Sequence, residues 1–207
     1  EIYMGDWSSD VCSSDLVSST FALPAAAALT QGAPAPDFTA QASLAGKEFT
    51  YSLKDELEKG PVVVYFYPAA YTGGCNVQAR TFAVNMDKFK DAGASVVGVS
   101  LDNIDTLNAF SADPEYCAGK LPVASDPDGR IASSFELTVH DAKPGAKDTR
   151  GMEIGHGFAE RTTFVLTTDG KVAATVGGVS PKENVEKALA AVQQLAHPSP
   201  AKNLDVS

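Results

Sequence analysis

The residue best placed for chemistry is Cys75, which follows a turn-prone Tyr-Thr-Gly-Gly stretch and begins a run with helical spacing. Thr72 lies three residues before this cysteine, and Pro68 begins the turn. Unpaired backbone N–H groups and the positive end of the helix dipole meet at a helix N-terminus, where they favour an anion. We therefore expect the Cys75 sulfur to be available as a thiolate nucleophile. The alternative is a small, buried and unreactive side chain.

A strand and a helix must hold that turn in place. Residues 61–67 form a continuous apolar, β-branched and aromatic run, which is typical of a central strand buried on both faces. After the turn, apolar residues recur three and four positions apart, which predicts a helix that closes near Gly93. The predicted inward face consists of Cys75, Ala79, Phe82, Met86 and Phe89.

Further alternating elements follow this strand and helix. A second buried strand is predicted at residues 95–100, and the strand-helix-strand order implies a right-handed parallel crossover. Asp102 is expected to cap the next helix, which runs toward Cys117. A short third strand is predicted at residues 121–125, followed by a turn and one helical turn.

The two ends of the folded region add strands to this core. A short strand is predicted near residues 49–51, and Ser52 is expected to cap a brief helix. Asp-Gly between the predicted strands 162–168 and 171–176 indicates a two-residue hairpin, and Ser180 begins the final helix. This order of mixed strands and covering helices predicts a three-layer α/β fold of thioredoxin type in one domain.

Between these elements, residues 138–160 form a long irregular stretch rich in Gly, Pro, Lys and Asp. A loop of that length in a compact domain usually has a function or is mobile. The three histidines, His140, His156 and His197, lack metal-ligand spacing, so rim or exposed positions are expected for them.

Composition bounds the class of protein. The chain has 207 residues, of which 44% are hydrophobic, enough for one ordinary globular core. A formal charge of −10 argues against a nucleic-acid or anionic-membrane partner, since such binding needs clustered Lys and Arg. No apolar run approaches the roughly 20 residues of a membrane span.

The first 28 residues are predicted to lie outside the folded domain, which spans residues 29–197 and is followed by a flexible tail at 198–207. Residues 1–16 resemble translated sequencing-adapter read-through, although a genuine disordered leader is the alternative. Residues 17–28 are typical of the end of a secretory signal with small residues at its cleavage site. We expect a periplasmic or secreted protein. The alternative is a cytoplasmic protein with an Ala-rich arm.

The segment from Pro68 to Cys75 reads Pro-Ala-Ala-Tyr-Thr-Gly-Gly-Cys and matches the P-x-x-x-[TS]-x-x-C signature of peroxiredoxins. Together with Arg161 in Arg-Thr-Thr-Phe-Val-Leu, the resemblance runs from about Gly32 to Leu195. It most nearly suggests the bacterioferritin-comigratory (PrxQ) branch of the AhpC/TSA superfamily. The resemblance implies a thiol peroxidase that needs no metal, flavin or haem.

The resemblance also implies roles for individual residues. Cys75 attacks a peroxide oxygen and becomes a sulfenic acid, Thr72 directs its hydroxyl at the peroxide, and Pro68 shields the sulfur from water. Arg161 stabilises the thiolate and the leaving oxygen. Taken alone, Thr72 is also consistent with a helix N-cap, and Arg161 with a surface charge paired with Glu160.

One departure from the PrxQ pattern concerns the second cysteine. Such sequences often carry it five positions after the first, where this chain has Arg80. We expect Cys117 to resolve the Cys75 sulfenic acid by forming an intramolecular disulfide. The alternative is an inert Cys117 and a one-Cys enzyme reduced by an outside thiol.

Two rival functions use the same fold. A thiol-disulfide oxidoreductase needs a C-x-x-C motif, and Thr72 stands where the first cysteine would be. A copper-delivery protein would want two cysteines in one loop and a distant histidine, whereas only one cysteine is present there. The expected partners are a peroxide and a thiol reductant, either a thioredoxin-like protein or a low-molecular-weight thiol. The expected assembly is a monomer or homodimer.

Overall fold

A computed structural model describes residues 28–197 and shows an α/β fold around a seven-stranded mixed sheet. The predicted leader, with its Cys12 and signal-like segment, and the predicted tail lie outside the described residues, apart from Ala28. The strands are β1 (Thr39–Leu44), β2 (Lys47–Ser52), β3 (Val62–Phe66), β4 (Ser95–Ser100), β5 (Val123–Ser125), β6 (Val139–His140), β7 (Phe158–Ala159), β8 (Thr162–Leu166) and β9 (Val172–Gly177). The helices are α1 (Leu53–Leu57), α2 (Gly73–Asp91), α3 (Ile104–Ala112), α4 (Arg130–Ser134) and α5 (Pro181–Ala196).

The sheet has the order β2-β1-β5-β4-β3-β8-β9. The strands β3, β4 and β5 are parallel to one another, which confirms the predicted crossover through α2. The strands β8 and β9 extend the sheet as an antiparallel pair at one edge, and β1 and β2 form an antiparallel pair at the other. All five residues of β3 are buried, as the apolar run predicted.

Side chains alternate between two cores on the two faces of the sheet, since successive strand residues point in opposite directions. Val63, Tyr65 and Tyr67 pack under α2, α3 and α5, in the same cluster as Cys75 and Cys117. Val62, Val64 and Phe66 pack on the opposite face, under α1 and α4; their cluster includes Leu53, Ala132 and Phe135. This arrangement confirms the predicted three-layer α/β fold.

Two sequence-based expectations for α3 are wrong. Asn103 caps α3, because its side chain accepts a hydrogen bond from Thr106 N at 2.9 Å, while Asp102 makes other contacts. The helix ends at Ala112, so Cys117 lies five residues beyond it and not at its end. Asp113 precedes a proline, which disfavours helical dihedrals, and it has an extended backbone with φ −60° and ψ 119°.

The β8–β9 hairpin also differs from the prediction. Thr167 N donates to the carbonyl of Lys171 at 2.9 Å, and Gly170 N donates to the carbonyl of Thr167 at 2.8 Å. The loop therefore has three residues, 168–170, and Gly170 adopts a left-handed φ of 74° that ends the turn. The Asp-Gly pair correctly predicted a hairpin, but the loop has three residues and not the predicted two.

Residues 138–160 are less irregular than their composition suggested. They contain the small antiparallel ribbon β6–β7, and they contact the turn before α2, as described below. None of the helices within residues 28–197 is both long and apolar enough to cross a bilayer.

Candidate active site

Cys75 lies in the first turn of α2, after the turn that follows the carboxyl end of β3, and only 2% of its surface is exposed. Thr72 occupies the N-cap position with an extended backbone, but its side chain does not cap the helix. Its hydroxyl instead donates to the carbonyl of Ala69 at 2.8 Å. Because that bond uses the only hydroxyl proton, the oxygen of Thr72 can only accept a further hydrogen bond, as from the O–H of a peroxide.

Arg161 precedes β8 and reaches across to the first turn of α2. Its Nη2 donates to Cys75 Sγ at 3.2 Å, and its Nη1 donates to the side-chain carbonyl of Gln78. A Cβ atom on Gly74 would lie 3.1 Å from the same Nη2, so the absence of a side chain there lets the guanidinium approach. The structure thus brings Arg161 to the sulfur, and the described contacts include no ion pair with Glu160.

Gln78 and Asn184 extend this contact into the core, and sequence reasoning missed both. Gln78 Nε2 donates to Asn184 Oδ1 at 3.0 Å, and both side chains are fully buried. Asn184 Oδ1 also accepts from the hydroxyl of Thr163 at 2.5 Å, and Nδ2 donates to the carbonyl of Val176 at 2.9 Å. The available signal was a polar residue on the inward face of each helix, one turn after Cys75 and one turn after Ser180.

Pro68 follows β3 and is half-buried in the turn that leads to Cys75. It lies near the sulfur in sequence, and its missing N–H leaves no donor at that position to compete for a substrate. Cys75, Thr72, Pro68 and Arg161 therefore all border the junction of β3, α2 and β8.

Tyr71, in the same turn, is held by the long loop at residues 138–160. Its φ of +58° is left-handed, which is a strained conformation for a bulky residue. Its carbonyl accepts two hydrogen bonds from Thr149, from the backbone N–H and from the hydroxyl, both at 2.8 Å. The guanidinium carbon of Arg150 lies 3.4 Å from the centre of the Tyr71 ring. Nε and Nη2 of the same guanidinium donate hydrogen bonds to Asp148 Oδ2. The loop thus holds the turn that leads to Cys75 in place.

A second contact between loop and turn runs through Asp102. Its Oδ2 accepts from Ala70 N at 2.8 Å and from the hydroxyl of Ser100 at 2.7 Å. Its Oδ1 lies 3.0 Å from His156 Nε2, and His156 Nδ1 lies 2.8 Å from the carbonyl of Gly157. Both partners of the ring can only accept, so an imidazolium with two N–H groups satisfies both contacts.

The surroundings of His156 shift its pKa upward overall. Burial acts to lower this pKa, but the hydrogen bonds to Asp102 and Gly157 and the negative charge of Asp102 outweigh burial. The structure thus places His156 in contact with the carboxylate of Asp102, which also binds Ala70 N in the turn before α2.

Cys117 lies in the apolar cluster under α2 with no exposed surface, and it forms no disulfide with Cys75. Burial, together with the charge of Asp113, raises the pKa of its thiol far above the usual range. Ala118 and Gly119, which follow it, both have left-handed backbones. The structure therefore places Cys117 in the same core as Cys75, but as a protonated and inaccessible thiol.

The hydroxyls of Tyr65 and Tyr67 are buried in the same cluster and have no hydrogen-bond partner among the described residues. Burial raises the pKa of both phenols well above its ordinary value, so both remain neutral. Within residues 28–197, no three His, Cys, Asp or Glu side chains cluster as metal ligands would.

Comparison with known proteins identifies the family. Residues 31–175 match the AhpC/TSA family. The chain is 32% identical to peroxiredoxin Q of Sedum lineare over 172 residues, covering 82% of this chain and 81% of that protein.

Two solved structures have the same fold. Peroxidoxin BcpB from Mycobacterium tuberculosis superposes with a TM-score of 0.67 at 30% identity, covering 81% of this chain and 98% of that one. The Xanthomonas campestris bacterioferritin comigratory protein superposes with a TM-score of 0.62 at 27% identity, covering 82% and 99%. These similarities confirm the thioredoxin-like fold, and the chain belongs to the AhpC/TSA family, within which it is a peroxiredoxin of the bacterioferritin-comigratory, or Q, type.

Proposed function

We propose that this peroxiredoxin reduces hydrogen peroxide and small organic hydroperoxides through a sulfenic acid on Cys75. Peroxiredoxins are thiol peroxidases, so the class of reaction follows from the family. The observation that carries the residue assignment is the 3.2 Å contact between Arg161 Nη2 and Cys75 Sγ, at a helix N-terminus. A cation and a helix dipole at one sulfur both stabilise the thiolate.

The proposed reaction begins with attack of the Cys75 thiolate on one peroxide oxygen. The S–O bond forms as the O–O bond breaks, and the sulfur is oxidised to the sulfenic acid. The second oxygen leaves as hydroxide or alkoxide and takes up a proton to become water or an alcohol. Arg161 is placed to stabilise the negative charge that moves from sulfur to the leaving oxygen. Thr72 accepts a hydrogen bond from the O–H of the attacked oxygen and so orients the peroxide.

Organic hydroperoxides are included because a structural neighbour uses them. The Xanthomonas campestris bacterioferritin comigratory protein has alkyl peroxide reduction activity. Here Cys75 follows the turn that begins at the half-buried Pro68 and belongs to an apolar cluster that includes Ala70 and Ala79. Such an apolar cluster is compatible with the alkyl group of a small hydroperoxide.

For the second half of the cycle, we propose that Cys117 resolves the sulfenic acid. The Cys117 sulfur attacks the Cys75 sulfur, an S–S bond forms, and the sulfenic oxygen leaves as water. A thioredoxin-like protein or a low-molecular-weight thiol then reduces the disulfide. The support is that Cys117 is the second free cysteine within residues 28–197 and lies in the same apolar cluster as Cys75.

Resolution by Cys117 requires local opening. Its buried thiol is protonated and has no exposed surface, whereas the attacking sulfur must be a thiolate that can reach Cys75. The turn at residues 113–119, with its left-handed Ala118 and Gly119, is the segment that must unfold together with the first turn of α2. Slow opening predicts that high peroxide over-oxidises Cys75 before resolution occurs.

Two cysteine variants and peptide mass spectrometry test the proposal. Cys75→Ser is expected to abolish peroxide consumption, and Cys117→Ser is expected to retain the first oxidation but to accumulate the sulfenic acid. One equivalent of peroxide should link Cys75 to Cys117 in the wild-type protein, with a loss of two hydrogen atoms. Full activity in Cys75→Ser would overturn the site. A stable sulfenic acid beside an alkylatable Cys117 would instead establish the one-Cys mechanism.

We also propose that the chain is exported, which rests on the signal-like residues 17–28 alone. Sequencing the N-terminus of protein expressed with a basic start restored tests this. Cleavage after Ala27 or Ala28 in a periplasmic fraction is expected, and uncleaved cytoplasmic protein would reject export.

A further inference from the structure

Asn184 ends a chain of hydrogen bonds that begins at the nucleophile. Cys75 Sγ accepts from Arg161, Arg161 donates to the carbonyl of Gln78, and the amide nitrogen of Gln78 donates to Asn184 Oδ1. The same Oδ1 accepts from the hydroxyl of Thr163, and neither Asn184 nor Thr163 has any exposed surface. Each link is a direct side-chain contact, and the chain crosses from α2 to α5.

The last contact of this hydrogen-bond network, at Asn184, fixes the orientation of both side-chain amides. Asn184 Nδ2 donates to the backbone carbonyl of Val176 at 2.9 Å. A backbone carbonyl can only accept, so the nitrogen of the Asn184 amide must face β9 and its oxygen must face Gln78. Because Asn184 Oδ1 can only accept, the Gln78 amide must present its nitrogen to it. The side-chain carbonyl of Gln78 then faces Arg161.

We propose that Asn184 is a positioning residue for the peroxidase reaction, acting through the amide of Gln78 on the guanidinium of Arg161. The inference rests on the proposed role of Arg161 at the sulfur. If the Gln78 amide turned over, its NH₂ group would face the guanidinium, and two donors cannot pair. Arg161 would then lose the acceptor that holds Nη1 while Nη2 points at Cys75. Asn184 prevents this reversal without touching the sulfur or the substrate.

The role differs from one of holding α5 in place. The helix packs on the sheet through Val185, Ala188 and Val192, all fully buried or nearly so, and begins at Pro181. These apolar contacts remain when Asn184 loses its amide. A variant at Asn184 should therefore remain folded while the orientation of Gln78 becomes free.

The test replaces Asn184 by leucine, which has a similar volume and no polar atom. We expect the second-order rate constant for hydrogen peroxide, measured by stopped flow, to fall about tenfold as Arg161 loses its orientation. We also expect slower alkylation of Cys75 by iodoacetamide at pH 7, since the guanidinium of Arg161 no longer holds its contact with the sulfur. A residue that only supported the fold would leave the alkylation rate of the native protein unchanged.

A double-mutant cycle then separates action through Arg161 from a general effect. In an Arg161→Ala background, Asn184→Leu is expected to change the rate less than about twofold, because the group it positions is absent. Asn85→Leu is the matched control, since Asn85 lies on α2 and its amide nitrogen donates to a carbonyl of its own helix, that of Thr81. This control is expected to keep the wild-type rate.

Thr163→Val keeps the proposal testable if the leucine variant does not fold. It is nearly isosteric in a buried strand and removes one hydrogen bond to Asn184 Oδ1. We expect a fall of about two- to fivefold in rate, which is lost in the Arg161→Ala background. The inference is overturned if both variants keep the wild-type rate, or if they lower it equally with and without Arg161. An inactive wild-type protein, or an Arg161→Ala variant at full rate, would overturn the proposed function as well.

Discussion

Arg161 Nη2 lies 3.2 Å from Cys75 Sγ and donates a charge-assisted hydrogen bond to the sulfur. Arg161→Ala should therefore slow peroxide reduction, and one such contact at a reacting centre is worth about 2–4 kcal/mol, or roughly 10²- to 10³-fold in rate. Stopped-flow rates at several peroxide concentrations measure this loss. Arg161→Lys should give an intermediate rate, because it keeps the charge but cannot bind Cys75 and Gln78 together.

The exposed Arg130 offers a control for loss of positive charge. It pairs with Asp128 at 3.6 Å, and its side chain is 85% exposed, so Arg130→Ala should leave the peroxide rate unchanged. An Arg161→Ala variant as fast as this control would make the 3.2 Å contact a structural feature only.

Gly74 limits how closely the guanidinium can approach. A Cβ atom there would lie 3.1 Å from Arg161 Nη2 and 3.4 Å from Pro181 Cγ, so Gly74→Ala should displace the guanidinium and lower the peroxide rate. Stability should not fall in parallel, since alanine favours a helix over glycine by about 1 kcal/mol. Gly73→Ala is a close control, because a Cβ atom on Gly73 meets no atom within 4 Å. Equal rates for the two variants would show that Arg161 tolerates the displacement.

Arg150 and Thr149 hold Tyr71 in the turn that leads to the first turn of α2, which opens in the proposed resolution by Cys117. Arg150→Ala should speed formation of the disulfide between Cys75 and Cys117, because a cation–π contact of about 0.5–2 kcal/mol is lost from the closed state only. Rapid acid quench and peptide mapping give the rate of disulfide formation after one equivalent of peroxide. Lys143→Ala, an exposed change in the same loop, should have no effect. Slower resolution in Arg150→Ala would mean that the clamp aids the reaction.

The contact between His156 and Asp102 predicts a pH-dependent stability. The folded pKa of His156 is raised above its ordinary value, near 6.5, so protonated His156 stabilises the folded state. This contribution is complete below about pH 6.5 and is lost as the pH rises through the folded pKa. His156→Leu should therefore lower the free energy of unfolding more at pH 6 than at pH 8.5, as measured by urea titration.

His140→Leu controls for a general effect of removing a histidine, since His140 is exposed on β6. An equal loss at both pH values in His156→Leu would show that its packing, and not its charge, stabilises the loop.

Gly98 lies where the ring of Tyr65 passes over β4. A Cβ atom on Gly98 would lie 2.5 Å from Tyr65 Cζ, and overpacking of a filled core typically costs about 1–3 kcal/mol. Gly98→Ala should lower the urea midpoint by a corresponding amount. Gly155→Ala, where a Cβ atom meets nothing within 4 Å, should change it little. An unchanged midpoint in Gly98→Ala would mean that Tyr65 moves aside without cost.

Local patterns were sufficient for much of this protein. The apolar run at β3 and the three- and four-residue spacing of α2 placed Cys75 at a helix N-terminus, because each pattern reflects burial of one segment. The Ser180 cap was also predictable, since its hydroxyl bonds within the next three residues. The motif from Pro68 to Cys75 was sufficient to suggest the family, because the strand, the turn and the cysteine are contiguous.

The structure differs from the sequence-based predictions where a residue with a local structural preference has other contacts. Asp102 has the chemistry of a helix cap, but Ala70 N and His156 bind its carboxylate, and Asn103 caps α3 in its place. The helix is shorter than its apolar spacing predicts because Asp113 precedes a proline, which disfavours helical dihedrals at Asp113.

Only the tertiary structure decided how the site is supported. Arg161 is 86 residues from Cys75 along the chain, and Asn184 is 106 residues from Gln78. Such contacts depend on how β8 and α5 return to α2, and no local pattern encodes a distance between segments that far apart. The clamp of Thr149 on Tyr71 spans 78 residues, and its loop has no periodicity to indicate where it folds. Sequence alone thus determined the position of Cys75 at the start of its helix, because one short segment builds both, whereas packing of the whole sheet determined which side chains surround the sulfur.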